Sequence, residues 1–545
     1  MMITRDYLIL FLIGICAALA AVFMQAGPDY MDAAYYYVGG QRIFGGHGFT
    51  EPYIWNFLDH PQGIPTASHT YWMPLASMLA ALGMRLSGSD SFFSARLVFI
   101  LLAAFTPVLT AWLYGRLAGN DMPGQDVRFK AWLAGLLAIF SGFYAIYITL
   151  TETFALYLLL GGIFLALIFG KLNIPDRYKY LLVGATAGLM HLARADGIIW
   201  LGAALLVSNI QIFPAARQTN QRMDWRLTAW RIVSRTIPVL VGYLVLMAPW
   251  YGRNLKLFGS LFSPGGARTI WMTNYNQIFS YTPDLINFST WMQAGWAAHL
   301  LDRAAAMKLN LSTLGAVQCG IVLAPLVVVG LWRLRREGWA RFLMLMWLGI
   351  LALMTVIFPY SGSRGGYFHA GAGIQVGVWI LSVEGLDTAI QWAAGRRGWD
   401  RRQALRILGG GVIGISILMT GWLFSKRVIG PDPSEPVWDR VGRHYQAIDQ
   451  SQSFVGAGLD SVVMVNNPPG YYAATGRAAV VIPDEDFDEL LKAARQFDAA
   501  YIILEEDHVV GLNALYCDPQ KGHQGVIYLE TVADTHLFAV EDGPR

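Results

Sequence analysis

The sequence predicts a polytopic α-helical membrane protein with a small α/β domain at its C-terminal end. Of its 545 residues, 55% are hydrophobic and only 14% are charged, whereas ordinary soluble domains have about 25% charged residues. Apolar runs of about 20 residues, long enough to cross a bilayer, recur up to residue 425. The remaining segment, from about residue 437 to 545, shows short strand-like and helix-like patterns instead.

Eleven transmembrane spans are predicted from these apolar runs. They cover approximately residues 7–26, 94–115, 131–148, 154–170, 180–194, 197–213, 236–251, 311–331, 342–359, 368–391 and 407–425. The first run is too long for the apolar core of a cleaved signal peptide, so we interpret it as an uncleaved span. Residues 71–86 are also apolar, but this run is short and contains Pro74 and Arg85.

The distribution of basic residues decides the topology. If residues 71–86 lie along the outer surface, 21 Lys and Arg residues fall on one side of the membrane, against about nine on the other. The positive-inside rule then makes that basic side cytoplasmic. The sequence therefore predicts a multi-pass protein of the cell (plasma) membrane, with a cytoplasmic N-terminus and an extracytoplasmic C-terminal domain.

Three parts of the chain follow from this topology. Residues 1–425 form the transmembrane domain, including a first outer loop at 27–93; 426–436 is a proline-containing linker; and 437–545 is the outer α/β domain. In that domain, strands are predicted at 461–465, 478–482, 500–504, 526–530 and 537–540, a helix at 486–496, and a strand-ending turn from Asn466 to Tyr472.

Composition also excludes several classes of function. A net charge of +3 and short basic cytoplasmic loops do not indicate nucleic-acid binding. The three cysteines, Cys16, Cys319 and Cys517, lie too far apart for a disulfide framework or a zinc motif.

Acids and aromatic rings are concentrated in the first outer loop. Asp29, Asp32, Glu51 and His69 lie there, and eleven Tyr, Trp and Phe residues occur between Tyr30 and Trp72. Rings can stack on the apolar faces of a sugar while carboxylates accept its hydroxyl hydrogens. An interfacial aromatic belt would explain the rings but not the acids. Asp32 begins a predicted helix, so it is either a catalytic base or an N-cap residue; for Asp29 the structural role is favoured.

Two later outer segments combine charges with helix ends. Arg194 and Asp196 interrupt a long apolar stretch, either as functional charges or as the ion pair of a hairpin tip. Arg364 and His369 lie where a glycine-rich loop meets a predicted helix start. Backbone amides and a guanidinium at such a place suit a phosphate, although a flexible loop with a solvated arginine is the alternative.

A metal site can be considered in the first loop, where Glu51, His47, His60 and His69 have suitable side chains. Their spacing matches no helical ligand pattern. No metal site is therefore assigned, and a divalent metal stays an option rather than a requirement.

Several short motifs, in this order, resemble the GT-C fold membrane glycosyltransferases, in the branch of the protein O-mannosyltransferases and aminoarabinose transferases (family 39-like). The motifs are Tyr-Trp-Met-Pro-Leu at 71–75, Phe-Ser-Ala-Arg-Leu at 93–97, Thr-Glu-Thr-Phe at 151–154, His-Leu-Ala-Arg-Ala-Asp-Gly at 191–197 and Arg-Gly-Gly-Tyr-Phe-His-Ala at 364–370. The resemblance covers roughly residues 1–425. It implies a sugar donor on a polyprenyl phosphate, and an early loop aspartate as the catalytic residue. Asp32 matches that position best, but the family's Asp-Glu pair is absent, because Tyr30 follows Asp29 and Ala33 follows Asp32.

The expected function is thus inverting transfer of a hexose or pentose from a polyprenyl-phosphate donor to a hydroxyl or amine of a protein, lipid or glycan acceptor. Asp32 or Asp29 would be the base. The residues expected to bind substrate are Glu51, His69, Arg194, Asp196, Arg364 and His369. The main alternative is a transporter or flippase, but such proteins often show internal repeats and midplane polar sites. No repeat is evident here.

Overall fold

The structure is a computed structural model that describes residues 2–118, 124–210, 225–454, 458 and 460–541. The chain forms two compact units. The helical unit comprises Met1–Phe23, Phe99–Leu257 and Asp302–Lys426, and the mixed unit comprises Met24–Val98, Phe258–Leu301 and Arg427–Arg545. The predicted boundaries at residues 425 and 436 divide the chain by sequence position, whereas these two units are defined by their packing. The predicted boundaries therefore stay a prediction.

Helices account for most of the described residues. They are α1 Thr4–Phe23, α2 Met31–Phe44, α3 Leu75–Ser87, α4 Phe92–Leu117, α5 Gly124–Ile139, α6 Phe143–Tyr147, α7 Phe154–Phe169, α8 Asp176–Ala193, α9 Ile198–Ile210, α10 Trp225–Phe258, α11 Pro264–Arg268, α12 Phe288–Gln293, α13 Gly295–Thr313, α14 Ala324–Arg333, α15 Gly338–Ala352, α16 Pro359–Ser361, α17 Tyr367–Gly371, α18 Gln375–Arg397, α19 Arg401–Phe424, α20 Arg440–Asp449, α21 Pro468–Thr475, α22 Phe487–Gln496 and α23 Asn513–Cys517.

The eight strands found in the described ranges are short. They are β1 Thr50–Glu51, β2 Tyr53–Ile54, β3 Thr66–Ala67, β4 Val462–Val465, β5 Ala479–Val481, β6 Ala499–Leu504, β7 Val526–Val532 and β8 Thr535–Val540. β1 and β3 pair antiparallel, and the other six strands form one sheet in the order β2-β5-β4-β6-β8-β7.

Each predicted span overlaps a helix, although residues 211–213 of the sixth span lie outside the described residues. Among the described residues, five helices are long and apolar enough to cross a membrane by length and composition. These are Thr4–Phe23, Phe92–Leu117, Trp225–Phe258, Gly338–Ile357 and Arg401–Ile429. The chain therefore has several membrane-crossing candidates, whereas the count of eleven and the topology stay predictions.

Small residues let the helices of the helical unit approach closely. A Cβ atom placed on Gly161 would lie 1.8 Å from the carbonyl oxygen of Gly373, and one on Gly385 would lie 1.8 Å from that of Leu326. Such contacts are typical of membrane helices, where burial of apolar surface does not drive packing and close backbone approach is needed instead.

A buried ionic cluster joins α5, α18 and α19 in the same unit. The Lys130 ammonium group, fully buried, lies 2.8 Å from Asp387 and 3.3 Å from Glu384. Arg401 donates three hydrogen bonds to Asp387, and the Tyr114 hydroxyl donates to Glu384. The two acids thus balance two cations, which is what buried charges require.

The six-stranded sheet of the mixed unit combines distant parts of the chain. β2, from the first outer loop, pairs parallel with β5, with Tyr53 opposite Ala479. β4 is parallel to β5 and β6, whereas β8 is antiparallel to β6 and β7. The strands and the helix predicted within 461–540 are all present. The Asn466–Tyr472 turn is wrong: the Asn467 side chain caps a helix there by accepting from the Gly470 amide.

The start of the first outer loop is also bound to the C-terminal segment within the mixed unit. The Gly27 amide donates to Asp439 over 3.0 Å, and the Trp438 indole donates to the Gly27 carbonyl over 2.9 Å. The Tyr30 ring packs edge-on against Trp438. These contacts fix the chain just before α2, which carries Asp32.

Candidate functional site

Glu152 and His369 form a buried carboxyl–imidazole pair in the helical unit. Glu152 lies in the turn before α7, and its Oε1 is 3.0 Å from Nδ1 of His369 on α17. The Thr153 hydroxyl also donates to Glu152, over 2.8 Å, and the Phe154 ring stacks on the imidazole at 4.2 Å. Burial alone would raise the pKa of Glu152, but the charge and hydrogen bond of His369 hold that pKa below its usual value.

Arg194 and Asp196 form an ion pair in the helical unit. α8 ends at Ala193 because Arg194 is extended, and residues 195–197 form a single 3₁₀ turn. Arg194 Nε lies 2.9 Å from Asp196 Oδ1, and both side chains are nearly buried. An ion pair between Arg194 and Asp196 was one of the two alternatives that the sequence left open, and this contact is present.

The two pairs interact. The positive charge of Arg194 helps to lower the pKa of Glu152, and its guanidinium lies 5.9 Å from the centre of the Tyr157 ring. We call Glu152, Arg194, Asp196 and His369 the charged cluster. It joins three predicted site residues in one place, with Glu152 as an addition that the sequence analysis missed.

Arg364 lies beside this cluster on an irregular helical segment. The chain is helical on both sides of this segment, but Arg364 and Gly365 have non-helical backbone angles. A break in the helix therefore lies where the sequence predicted a glycine-rich loop before a helix start. Gly365 has φ 130°, a conformation that favours glycine, and a Cβ there would lie 3.7 Å from the His369 ring. The exposed Arg364 guanidinium, rather than a row of free amides, is the group suited to a phosphate.

Asp32 and Asp29 lie in the mixed unit in different settings. Asp32 is partly buried in the first turn of α2, but the N-cap residue is Tyr30, so the N-cap interpretation of Asp32 is wrong. Asp29, with φ 55°, packs against residues 439–443, where the Val441 amide donates to it. Burial raises the pKa of Asp29 to about 7. A pKa near neutrality suits proton transfer, whereas close packing against main chain suits a structural role.

Glu51 and His69 meet through Tyr35. The Tyr35 hydroxyl accepts a 2.6 Å hydrogen bond from the His69 amide. Burial, and then the charge of Glu51, raise the pKa of the Tyr35 hydroxyl well above its usual value. The His69 ring nitrogens contact the hydroxyls of Ser68 (2.7 Å) and Ser77 (2.9 Å). Both ring nitrogens thus have protein partners, and the imidazole is held in one orientation.

The four first-loop residues considered as metal ligands do not form one group. Across the described ranges, Glu51, His47, His60 and His69 do not appear together as a ligand set, and His60 instead contacts Asp284 at 3.1 Å. In the helical unit, the Glu152 oxygen and His369 nitrogen are of the types that bind divalent metals. No resident metal is assigned.

A signal for Glu152 was present in the sequence. It is an acid between two predicted spans, within the Thr-Glu-Thr-Phe motif, and charges at membrane depth are candidates for function. Its pairing with His369, 217 positions away, could not be read from the sequence.

No protein-family model and no curated protein matches the chain. Solved structures do. ArnT from Cupriavidus metallidurans bound to undecaprenyl phosphate is similar over 98% of both chains, with a TM-score of 0.59 and 11% identity. The Archaeoglobus fulgidus oligosaccharyltransferase tethered to an acceptor peptide is similar over 99% of this chain and 75% of its own, with a TM-score of 0.52 and 11% identity.

This chain has the GT-C fold. The resemblance seen in the sequence motifs is thus confirmed for the fold, and the similarity to ArnT extends beyond residue 425 to nearly the whole chain. In addition, several helices are apolar and long enough to cross a membrane, and the similar structures are glycosyltransferases.

Proposed function

We propose that this chain is an inverting glycosyltransferase that moves a sugar from a polyprenyl-phosphate donor to an acceptor hydroxyl or amine on the outer face of the cell membrane. The observation that carries the proposal is the GT-C fold shared with undecaprenyl-phosphate-bound ArnT over 98% of both chains. The orientation proposed is a cytoplasmic N-terminus and an outer C-terminal segment, as the basic residues predict.

In the proposed reaction, the acceptor oxygen or nitrogen attacks the anomeric carbon of the donor sugar, and Asp32 accepts the proton that this atom loses. The bond from that carbon to the phosphate oxygen breaks on the opposite side, and its electron pair stays with the polyprenyl phosphate. Asp32 is preferred because it lies in the first turn of α2 and is not the N-cap. Asp29 is the alternative base, since its pKa is about 7.

The leaving phosphate gains negative charge and needs cations rather than a proton donor. Arg194 and Arg364 are the proposed phosphate ligands, and each good contact of this kind supplies roughly 3 kcal/mol in a transition state. Asp196 orients the Arg194 guanidinium through the 2.9 Å ion pair. His369 is held by Glu152 and is proposed to contact the donor. A divalent metal is not required for this chemistry.

Glu51 and His69, both in the mixed unit, are proposed to bind substrate. Glu51 is 6% exposed, so hydroxyl groups that it binds would be shielded from water. His69 is proposed to bind substrate only indirectly, by fixing Tyr35 through the 2.6 Å hydrogen bond. Both imidazole nitrogens of His69 already contact serine hydroxyls, which supports this indirect role.

The test is release of polyprenyl phosphate from a panel of polyprenyl-phosphate sugars by the protein in lipid, with an extract of native acceptors. Wild type should consume one donor, and Asp32→Asn should lower the rate at least 100-fold. Asp90→Asn is the matched control, because Asp90 is exposed and accepts hydrogen bonds from Tyr37 and Gln41 through its main-chain carbonyl. Loss only in Asp29→Asn would move the base to Asp29.

A second comparison tests the phosphate ligands. Arg194→Gln and Arg364→Gln should each lower the transfer rate, whereas Arg333→Gln, at an exposed residue near the end of α14, should not. If the folded protein neither consumes nor binds any donor, the transferase proposal fails. Movement of a lipid-linked substrate across vesicles by the same preparation would then support the transporter alternative.

A further inference from the structure

A polar cleft of about 500 Å³ lies in the mixed unit, within the part of the first outer loop that follows β1. Its lining includes Glu51, Asn56, Asp59, Gln62, Gly63 and Thr66. We call it the loop cleft. Its volume is in the range of small-molecule sites, but its lining is more polar than most of those. It therefore suits a polar ligand rather than a polyprenyl chain.

The walls of the loop cleft are fixed by contacts that do not involve a ligand. Asp59 accepts a 2.6 Å hydrogen bond from the Gly265 amide and also binds the Ser263 hydroxyl. Glu51 lies on β1, which pairs with Thr66 on β3. The site is thus preformed, which reduces the ordering cost of binding.

The charges of the loop cleft define the ligand class. It has two carboxylates, from Glu51 and Asp59, and among its lining residues, all of them described, there is no Lys or Arg. An anion would be repelled, whereas hydroxyl groups can donate to both acids and to the Asn56 oxygen. Phe258 and Ile64 supply apolar surface of the kind on which a sugar ring packs.

We infer that the loop cleft binds the acceptor, and that this acceptor is a hydroxyl-rich carbohydrate without anionic groups. That this carbohydrate is the acceptor rests on the proposed function, but its binding to the loop cleft can be measured without any donor. Glu51 was already proposed to bind substrate. The inference adds ligand contacts for Asn56, Asp59, Gln62 and Thr66.

A blocking variant tests the cleft directly. Gly63 lines the cleft, a Cβ on it would have no atom within 4 Å, and its φ is not positive. Gly63→Trp therefore adds a large side chain at the cleft without backbone strain. Gly522→Trp is the matched control, at an exposed glycine of the same unit with equally open surroundings. Thr66→Val removes one hydroxyl while leaving the main-chain pairing with Glu51 in place.

The probes are maltotetraose, chitosan tetramer and tetragalacturonate, which are neutral, cationic and anionic carbohydrates, measured by calorimetry on the full chain in detergent. We expect the neutral or cationic probe to bind, and Gly63→Trp to weaken binding at least tenfold. Thr66→Val should weaken it roughly two- to tenfold, the size of one hydrogen bond. Gly522→Trp should bind as wild type does.

The outcomes separate this inference from the proposed function. Failure of all three probes to bind wild type, preference for the anionic probe, or binding by Gly63→Trp as strong as wild type would each overturn the inference. If binding follows the cleft variants but no donor is consumed, the carbohydrate site stands and the transferase proposal fails. If donor is consumed and Gly63→Trp transfers normally to the native extract, the cleft is not the acceptor site.

Discussion

Replacement of Asp29 by Asn should stabilise the contact between the first outer loop and α20, and more so at high pH. In the folded chain Asp29 is largely buried, beside Asp439 and the Val441 amide, and its pKa is about 7. Ionisation of a buried carboxyl is costly when hydrogen bonds and cations do not compensate for lost water. Asn keeps an oxygen that can accept from Val441 but has no charge to bury.

The magnitude follows from the two pKa values. A carboxyl pKa of about 7 in the closed state, against 3.8 when the loop opens, corresponds to roughly 4 kcal/mol. Because water still reaches part of the side chain, we expect about 2–3 kcal/mol. Between pH 4 and 7 the open state releases its proton while the closed state keeps it. The free energy of opening therefore falls as pH rises, and it levels off above pH 7.

Hydrogen exchange of the amides at residues 439–443, corrected for intrinsic rates, measures this opening. Wild type should lose protection from pH 4.5 to pH 8, and Asp29→Asn should lose much less. Asp90→Asn, at an exposed acid of the same unit, should follow wild type. An equal difference between wild type and Asp29→Asn at both pH values would refute the reasoning.

Three further predictions concern the helical unit. Lys130→Met should lower stability by roughly 3–5 kcal/mol, because it leaves buried acids without their cation; unchanged thermal stability in detergent would contradict this. Gly161→Ala should cost about 1–3 kcal/mol by overpacking, whereas Gly115→Ala, with no atom within 4 Å of its Cβ, should be tolerated, and the same thermal unfolding assay compares them. In a double-mutant cycle of Glu152→Gln and His369→Ala, stability should show a coupling of about 0.5–3 kcal/mol; additive effects would mean that the 3.0 Å pair is energetically silent.

Local signals predicted much of the fold. Apolar runs specify helices because burial and backbone hydrogen bonding act on neighbouring residues, so every predicted span overlaps a helix. The same holds for β4 to β8, whose alternating and β-branched patterns were sufficient. The interpretation of Asp32 as the N-cap of α2 is wrong because Tyr30, whose side chain makes no capping hydrogen bond, takes that position.

Long-range pairing could not be predicted in this way. Nothing near His69 indicates that its ring would contact Ser77 and its amide Tyr35. The pairing of Glu152 with His369 depends likewise on how helices pack. Most residue types of the candidate site were thus predictable from the sequence, whereas their partners are visible only in the structure.

The edge position of β2 in the six-stranded sheet sets an order for biosynthesis. β2 is made early, but its partner β5 begins at Ala479, more than 400 residues later. At 5–20 residues per second, translation takes roughly 20–85 s to reach it. During that time the hydrogen-bonding edge at Tyr53 and Ile54 has no strand beside it in the sheet. A nascent chain stalled before residue 479 should therefore expose this segment to protease, and one released after residue 541 should protect it.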